Sequence, residues 1–214
     1  MNFFGHAVVA AWRRPEPAFV LGAMLPDFAT MIRARPPESG HETIEQGIAF
    51  HHETDEVFHR NPTFLGLSRA AFDWLLARGV GRGSARAVAH IGVEMLLELP
   101  LSADLHAQRL YRAALDGAIE ADLGRHVGWR SGQERASFER LRAALVARGE
   151  MSADVAPEVI AERLRRALSG RPLLALDEAA IHVVRDWILA VRLAVAMQAQ
   201  PLVRELSSQL IPAR

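Results

Sequence analysis

The chain contains no cysteine and no lysine. Without cysteine there are no disulfides, no thiolate nucleophile, no iron–sulfur cluster and none of the sulfur-based structural zinc sites, so any metal must be held by nitrogen and oxygen. Without lysine, covalent catalysis through a lysine amine is excluded, and all 25 basic residues are arginine. They are matched by 25 aspartates and glutamates, for a formal net charge of zero. No long-range field therefore draws the chain to nucleic acid or anionic lipid, and a general nucleic-acid binder is disfavoured. Long apolar runs are missing as well. The best candidate, Trp187 to Met197, carries Arg192 and follows Arg185 and Asp186, which falls short of the ~20 apolar residues of a membrane helix. The opening MNFFGHAVVAAWRR has no basic leading segment and its apolar run is broken at His6, which argues against a secretory signal. A soluble cytoplasmic protein is the expectation.

What remains is an ordinary globular balance, 50% apolar and 23% charged over 214 residues, enough for one domain with a sizeable core. Alternating valine, isoleucine and threonine segments are scarce, whereas alanine, leucine, arginine and glutamate, the strong helix formers, dominate. The expected fold is all-α, a single multi-helix bundle, with a metal-site half over 1–100 and a helical remainder over 101–214. Prolines punctuate it. The helices are expected over Asn2–Trp12, Ala18–Arg33, His41–His59, Thr63–Arg78, Ser84–Glu98, Ala103–Gly124, Gln133–Arg148, Pro157–Leu168 and Leu174–Gln198, followed by a short tail. Ser39 with Glu42 has the spacing of a capping box, and Ser84 and Ser152-Ala-Asp154 read as weaker caps.

Nine histidines stand against one tyrosine, and their placement is the main question. In IEQGIAFHHETDEVFHR, Ile44, Ile48, His51, Asp55 and His59 advance by small angles around a helix and form one stripe. Its apolar start should face the core, which carries imidazole and carboxylate inward after it. Burying such groups without partners costs several kcal/mol, roughly, and a shared divalent cation satisfies them together. His52 lies ~100° away and reads as a surface or supporting residue. In ARAVAHIGVEMLLELPL, His90 and Glu94 interrupt an almost wholly apolar helix one turn apart, and they must meet each other, another polar group or a metal. Glu98 continues that side at the helix end, either buried or exposed. His6 sits on an apolar helix and Asp27 follows Pro26, where it could also cap a turn that Pro26 starts. Helix bundles build metal sites from such residues on separate helices. His182 with Asp186 reads as a solvated edge, and His41, His106 and His126 as surface residues.

The opening Met1-Asn2-Phe3 with His6, then Gly22 and Asp27-Phe28, then Gly47-Ile48 with His51 and Asp55, resembles the acyl carrier protein phosphodiesterase family in order and approximate spacing, over residues 1–100. That family is a divergent, all-helical relative of the metal-dependent HD phosphohydrolases. It uses a divalent cation, typically manganese, to cleave the phosphodiester joining 4′-phosphopantetheine to a serine of holo-acyl carrier protein. The resemblance implies an HD-like bundle with a metal site between helices, and places His6, Asp27, His51 and Asp55 in that site. Where the family shows Asp-x-x-x-Asp-His on the following helix, this chain has His90-Ile-Gly-Val-Glu94-Met, and His59 stands where an acidic residue is common. These exchanges keep the capacity for Mn²⁺, Zn²⁺, Fe²⁺ or Mg²⁺. LGAMLPDF also looks like the helical zinc-dependent phospholipase C-type hydrolases.

The expectation is thus a metal-dependent phosphodiesterase with one or two cations on His6, Asp27, His51, Asp55, His59, His90 and Glu94. Asp27, Asp55 and Glu94 would be its catalytic carboxylates, and Arg60, Arg82 or Arg86 would clamp phosphate. An acidic acyl carrier protein as partner would require a local arginine patch despite zero net charge. A lipid-headgroup hydrolase and a non-catalytic metal-binding protein on the same scaffold stay open beside it.

Overall fold

The fold is all-α, as expected. The computed structural model describes residues 1–117 and 123–210. Among these it contains nine α-helices: α1 Phe3–Arg13, α2 Pro17–Met31, α3 Glu42–Arg60, α4 Pro62–Leu76, α5 Arg82–Glu98, α6 Leu105–Asp116, α7 Gly132–Arg148, α8 Pro157–Leu168 and α9 Glu178–Leu210. An antiparallel pair of two-residue strands, β1 Glu38–Ser39 and β2 Val127–Gly128, was not anticipated. None of these helices is long and apolar enough to cross a membrane. The chain divides into two compact units. One comprises Met1–Val57, Ser102–Met151 and the chain from Leu206, and the other Phe58–Leu101 and Ser152–Glu205.

Several helix ends differ from expectation for local reasons. Pro17 and Pro62 open helices one residue before the expected Ala18 and Thr63, and Pro157 opens α8 as expected, since the missing amide costs nothing at a helix start. Pro26 and Pro201 instead lie inside α2 and α9, so α2 runs straight through Pro26 and Asp27 caps no turn. The helix expected over Ala103–Gly124 stops at Asp116, because Gly117 takes the left-handed conformation at φ 64° that commonly ends a helix; the rest of that expected helix includes residues 118–122, outside the described residues. Ser84 lies inside α5, which begins at Arg82. At α3 the capping residues are shifted by one turn: the Ser39 hydroxyl accepts from the His41 amide at 3.1 Å, and Glu45, not Glu42, receives the Ser39 amide.

In the first unit, α1 is buried from Phe3 to Ala11 and packs on α2 and α6. The single tyrosine, Tyr111 of α6, meets Phe3 and Phe4 with ring centroids 6.2 and 5.3 Å away, and Phe28 meets Phe138 of α7. Asp104 caps α6 and also accepts from Trp12 Nε1 at 2.7 Å, tying α1 to the start of α6. In the second unit, α4 packs against α5, and buried Trp187 of α9 lies where a side chain on Gly92 of α5 would be.

At two glycines α2 and α3 approach backbone to backbone. A Cβ on Gly22 would stand 2.2 Å from the Ile44 carbonyl oxygen, and one on Gly47 would stand 2.3 Å from that of Phe19. The obstructing atoms are backbone and cannot swing aside. The buried seam of α3 accordingly runs Ile44, Gly47, His51, Thr54 and Phe58, with Ile48 and Asp55 only half-buried at its edge. Gly22→Ala or Gly47→Ala is expected to lower stability by about 1–3 kcal/mol or more, read as a shift of the urea midpoint. Gly66→Ala, where a Cβ meets nothing within 4 Å, should leave the midpoint unchanged or slightly raised.

Candidate metal centre

Three helices of the first unit each contribute a ligand-type side chain. His6 from α1 and His51 from α3 are buried at 1% and 4% exposure, and Asp27 from α2 is half-buried. One ligand atom from each lies within 4.8 Å of the other two. The rings of His6 and His51 are stacked with centroids 3.9 Å apart. Asp55, one turn beyond His51 on α3, reaches both: Oδ1 is 3.1 Å from His6 Nε2 and Oδ2 is 3.6 Å from His51 Nε2. The α-amino group of Met1 donates to Asp55 Oδ1 at 2.9 Å.

The protonation of His51 follows from its neighbours. The Gly22–Gly47 contact brings α2 so close to α3 that the Ala23 carbonyl, one residue on, lies 2.9 Å from His51 Nδ1. A carbonyl oxygen only accepts, so Nδ1 carries the hydrogen. Burial, followed by the neighbouring His6, pushes the imidazole down to about 3, so at neutral pH His51 is uncharged and Nε2 presents a lone pair. That lone pair faces the Asp55 carboxylate beyond hydrogen-bonding distance. Burial works to raise Asp55, but His6 and the Met1 amino group outweigh it and hold the carboxyl well below the usual carboxylate range. Two electron-pair donors thus converge in a setting where a cation is the natural complement. The Nδ1–carbonyl bond is also how protein metal sites orient a ligating histidine.

A second group forms in the other unit. His59, at the end of α3, and His90 and Glu94 of α5 also place one ligand atom each within 4.8 Å of one another. Nε2 of His59 and Nε2 of His90 stand 3.1 and 3.2 Å from the same oxygen, Glu94 Oε1. Buried Phe64 of α4 lies against both rings, at centroid distances of 5.4 and 5.3 Å. Glu94 is buried, which opposes its ionisation, but the two imidazoles outweigh burial and hold it well below the usual range. Glu98, one turn on, is buried as well.

Six of the seven expected metal ligands therefore fall into two groups of three, either of which could hold a metal ion, and Asp55 stands beside the first. The three arginines are all exposed. Arg82 and Arg86 hold their guanidinium groups 5.6 and 5.9 Å from the ring of Phe72, and Arg86, His90 and Glu94 follow at four-residue intervals along α5. His41 and His126, expected to stand apart, meet edge to face at 5.3 Å beside the strand pair. Exposed His52 packs its ring against His51, and His182 is exposed with Nδ1 donating to the Glu178 carbonyl. The Ala23 carbonyl, the Met1 amine and Phe64 carry no motif that sequence reading could have found. Compared with protein-family models, with curated proteins and with solved structures, the chain gives no match.

Because the folded pKa of His51 lies below its unfolded value near 6.5, the unfolded chain takes up a proton first as pH falls. The contribution of His51 is complete above pH 6.5 and is lost between 6.5 and about 3. In metal-free protein, His51→Gln is expected to flatten the decline in unfolding free energy between pH 6.5 and 4, by up to ~1.4 kcal/mol per pH unit. Urea unfolding in the presence of chelator at a series of pH values measures it, and an unchanged slope would contradict the assignment.

Proposed function

We propose that the chain is a metal-dependent phosphoester hydrolase whose reacting centre is the group His6, Asp27, His51 and Asp55. The observation that carries this reading is the convergence of His51 Nε2, locked into its tautomer by Ala23, with two carboxylates and a second buried imidazole. A divalent cation bound by such a nitrogen-and-oxygen set lowers the pKa of a coordinated water and neutralises charge on phosphoryl oxygens. Mn²⁺ is the expected ion from the family resemblance, and Zn²⁺, Fe²⁺ and Mg²⁺ suit the same donors.

The side chains divide the work. His6 and His51 are neutral or hydrogen-bonded donors whose burial excludes competing water. The Asp55 side chain keeps 31% of its surface exposed, so substrate and solvent reach the centre from its side. Asp55, with its carboxyl held ionised, orients a water and keeps negative charge beside it. Arg60, Arg82 and Arg86 are exposed guanidinium groups of the second unit, whose planar fork suits phosphate, and Glu94 is the carboxylate of the second group. The resemblance favours an HD-like arrangement and the phosphopantetheine diester of an acyl carrier protein as substrate. A second reading, hydrolysis of a lipid-linked phosphoester in the manner of zinc-dependent phospholipase C-type enzymes, is favoured by the exposed apolar row Leu189, Leu193 and Met197 on α9.

The test is hydrolysis of a bis-aryl phosphodiester, of holo-acyl carrier protein and of phospholipid vesicles by protein stripped with chelator and then reloaded with Mn²⁺ or Zn²⁺. Activity should vanish on stripping and return on reloading. His51→Ala and Asp27→Asn should each lower kcat/KM at least ~100-fold with the circular dichroism spectrum unchanged. Undiminished turnover in excess chelator would overturn the reading.

A further inference from the structure

We infer that His59, His90 and Glu94 form a second cation site, one that loads independently of the reacting centre and takes a zinc-class divalent ion. The inference goes beyond the proposed hydrolysis and does not need it.

The geometry is that of a ready coordination shell. With metal–ligand bonds of about 2.0–2.1 Å, ligand atoms on a tetrahedral zinc ion lie about 3.3 Å apart. The two imidazole Nε2 atoms stand 3.1 and 3.2 Å from Glu94 Oε1, close to that spacing, and one ligand atom from each of the three residues lies within 4.8 Å of the other two. The rings are nearly parallel, 18° between planes at 5.0 Å. Phe64 packs edgewise against both, and Phe58 against Phe64 at 4.4 Å, so the imidazoles are held by an apolar floor instead of by the ion. Two imidazoles and one carboxylate are a borderline donor set that favours Zn²⁺, Co²⁺ or Ni²⁺ over Mg²⁺ and Ca²⁺.

The two groups differ in access. His6 and His51 are almost wholly buried, whereas the side chains of His90 and His59 keep 48% and 34% of their surface exposed above a buried Glu94. The second site therefore keeps a solvent-facing side on which a water or an anionic oxygen completes the coordination. The four-residue spacing marks His90 and Glu94 as a pair, but 30 residues lie between His59 and His90, and the α3–α4–α5 path returns them to one place.

The experiment uses the full chain stripped of metal and titrated with Zn²⁺ by calorimetry and with Co²⁺ by its visible absorption. Wild type is expected to bind two ions. His90→Ala, at a half-exposed position, should weaken one of them at least tenfold, and His59→Ala the same one, while His51→Ala leaves that ion bound. Glu94→Gln supplies the check if either alanine variant loses its helical circular dichroism. Wild type binding a single ion that disappears with His51→Ala would overturn the inference, as would titrations of folded His59→Ala and His90→Ala identical to wild type. Two ions bound with no hydrolysis of any phosphoester would remove the proposed function and leave this site standing.

Discussion

The crossing of α2 and α3 at Gly22 and Gly47 is the contact on which the candidate centre depends. Each glycine stands where a Cβ would run into the other helix's backbone, so the helices meet main chain to main chain. That approach, and no side-chain preference, places the Ala23 carbonyl against His51 Nδ1. The carbonyl determines where the imidazole proton sits, and the proton's position determines that Nε2 presents a lone pair to Asp55. A helix pair separated by ordinary side chains would put its axes some 8–10 Å apart, and the carbonyl would be out of reach.

Each unit tolerates polar groups that an apolar core ordinarily refuses. His6 lies in a helix buried along nearly its whole length, and Glu94 on the buried side of α5. Each is reconciled with burial by proximity to groups of complementary character: His6 and the Met1 amine around Asp55, His59 and His90 around Glu94. In both cases burial alone would drive the carboxyl neutral, and the neighbours reverse that outcome. Both carboxylates therefore stay ionised among imidazoles, which is the electrostatic condition for holding a cation.

Absences in composition narrow the chemistry in the same direction. With neither cysteine thiolate nor lysine amine, imidazole, carboxylate and guanidinium are the main charged and metal-binding groups. The structure divides them by burial: imidazoles and carboxylates converge between helices, and Arg60, Arg82 and Arg86 stay at the surface.

The helical class was legible from composition alone, because alanine, leucine, arginine and glutamate favour helix at every level and proline and glycine mark most boundaries. Individual helix ends were less so: α6 stops at Gly117 because that glycine takes the left-handed conformation, and α2 continues through Pro26, which alone would mark a boundary. For the site, the four-residue spacings identified the ligand-type residues, since period alone places His51 beside Asp55 and His90 beside Glu94. Which of them share a centre was beyond the sequence. His51, Asp55 and His59 lie on one stripe, yet His51 and Asp55 converge with His6 while His59 converges with His90 and Glu94. Spacing along a helix fixes only a side chain's direction; its partners come from other helices, and the close approach that two glycines permit is a property of the packed chain.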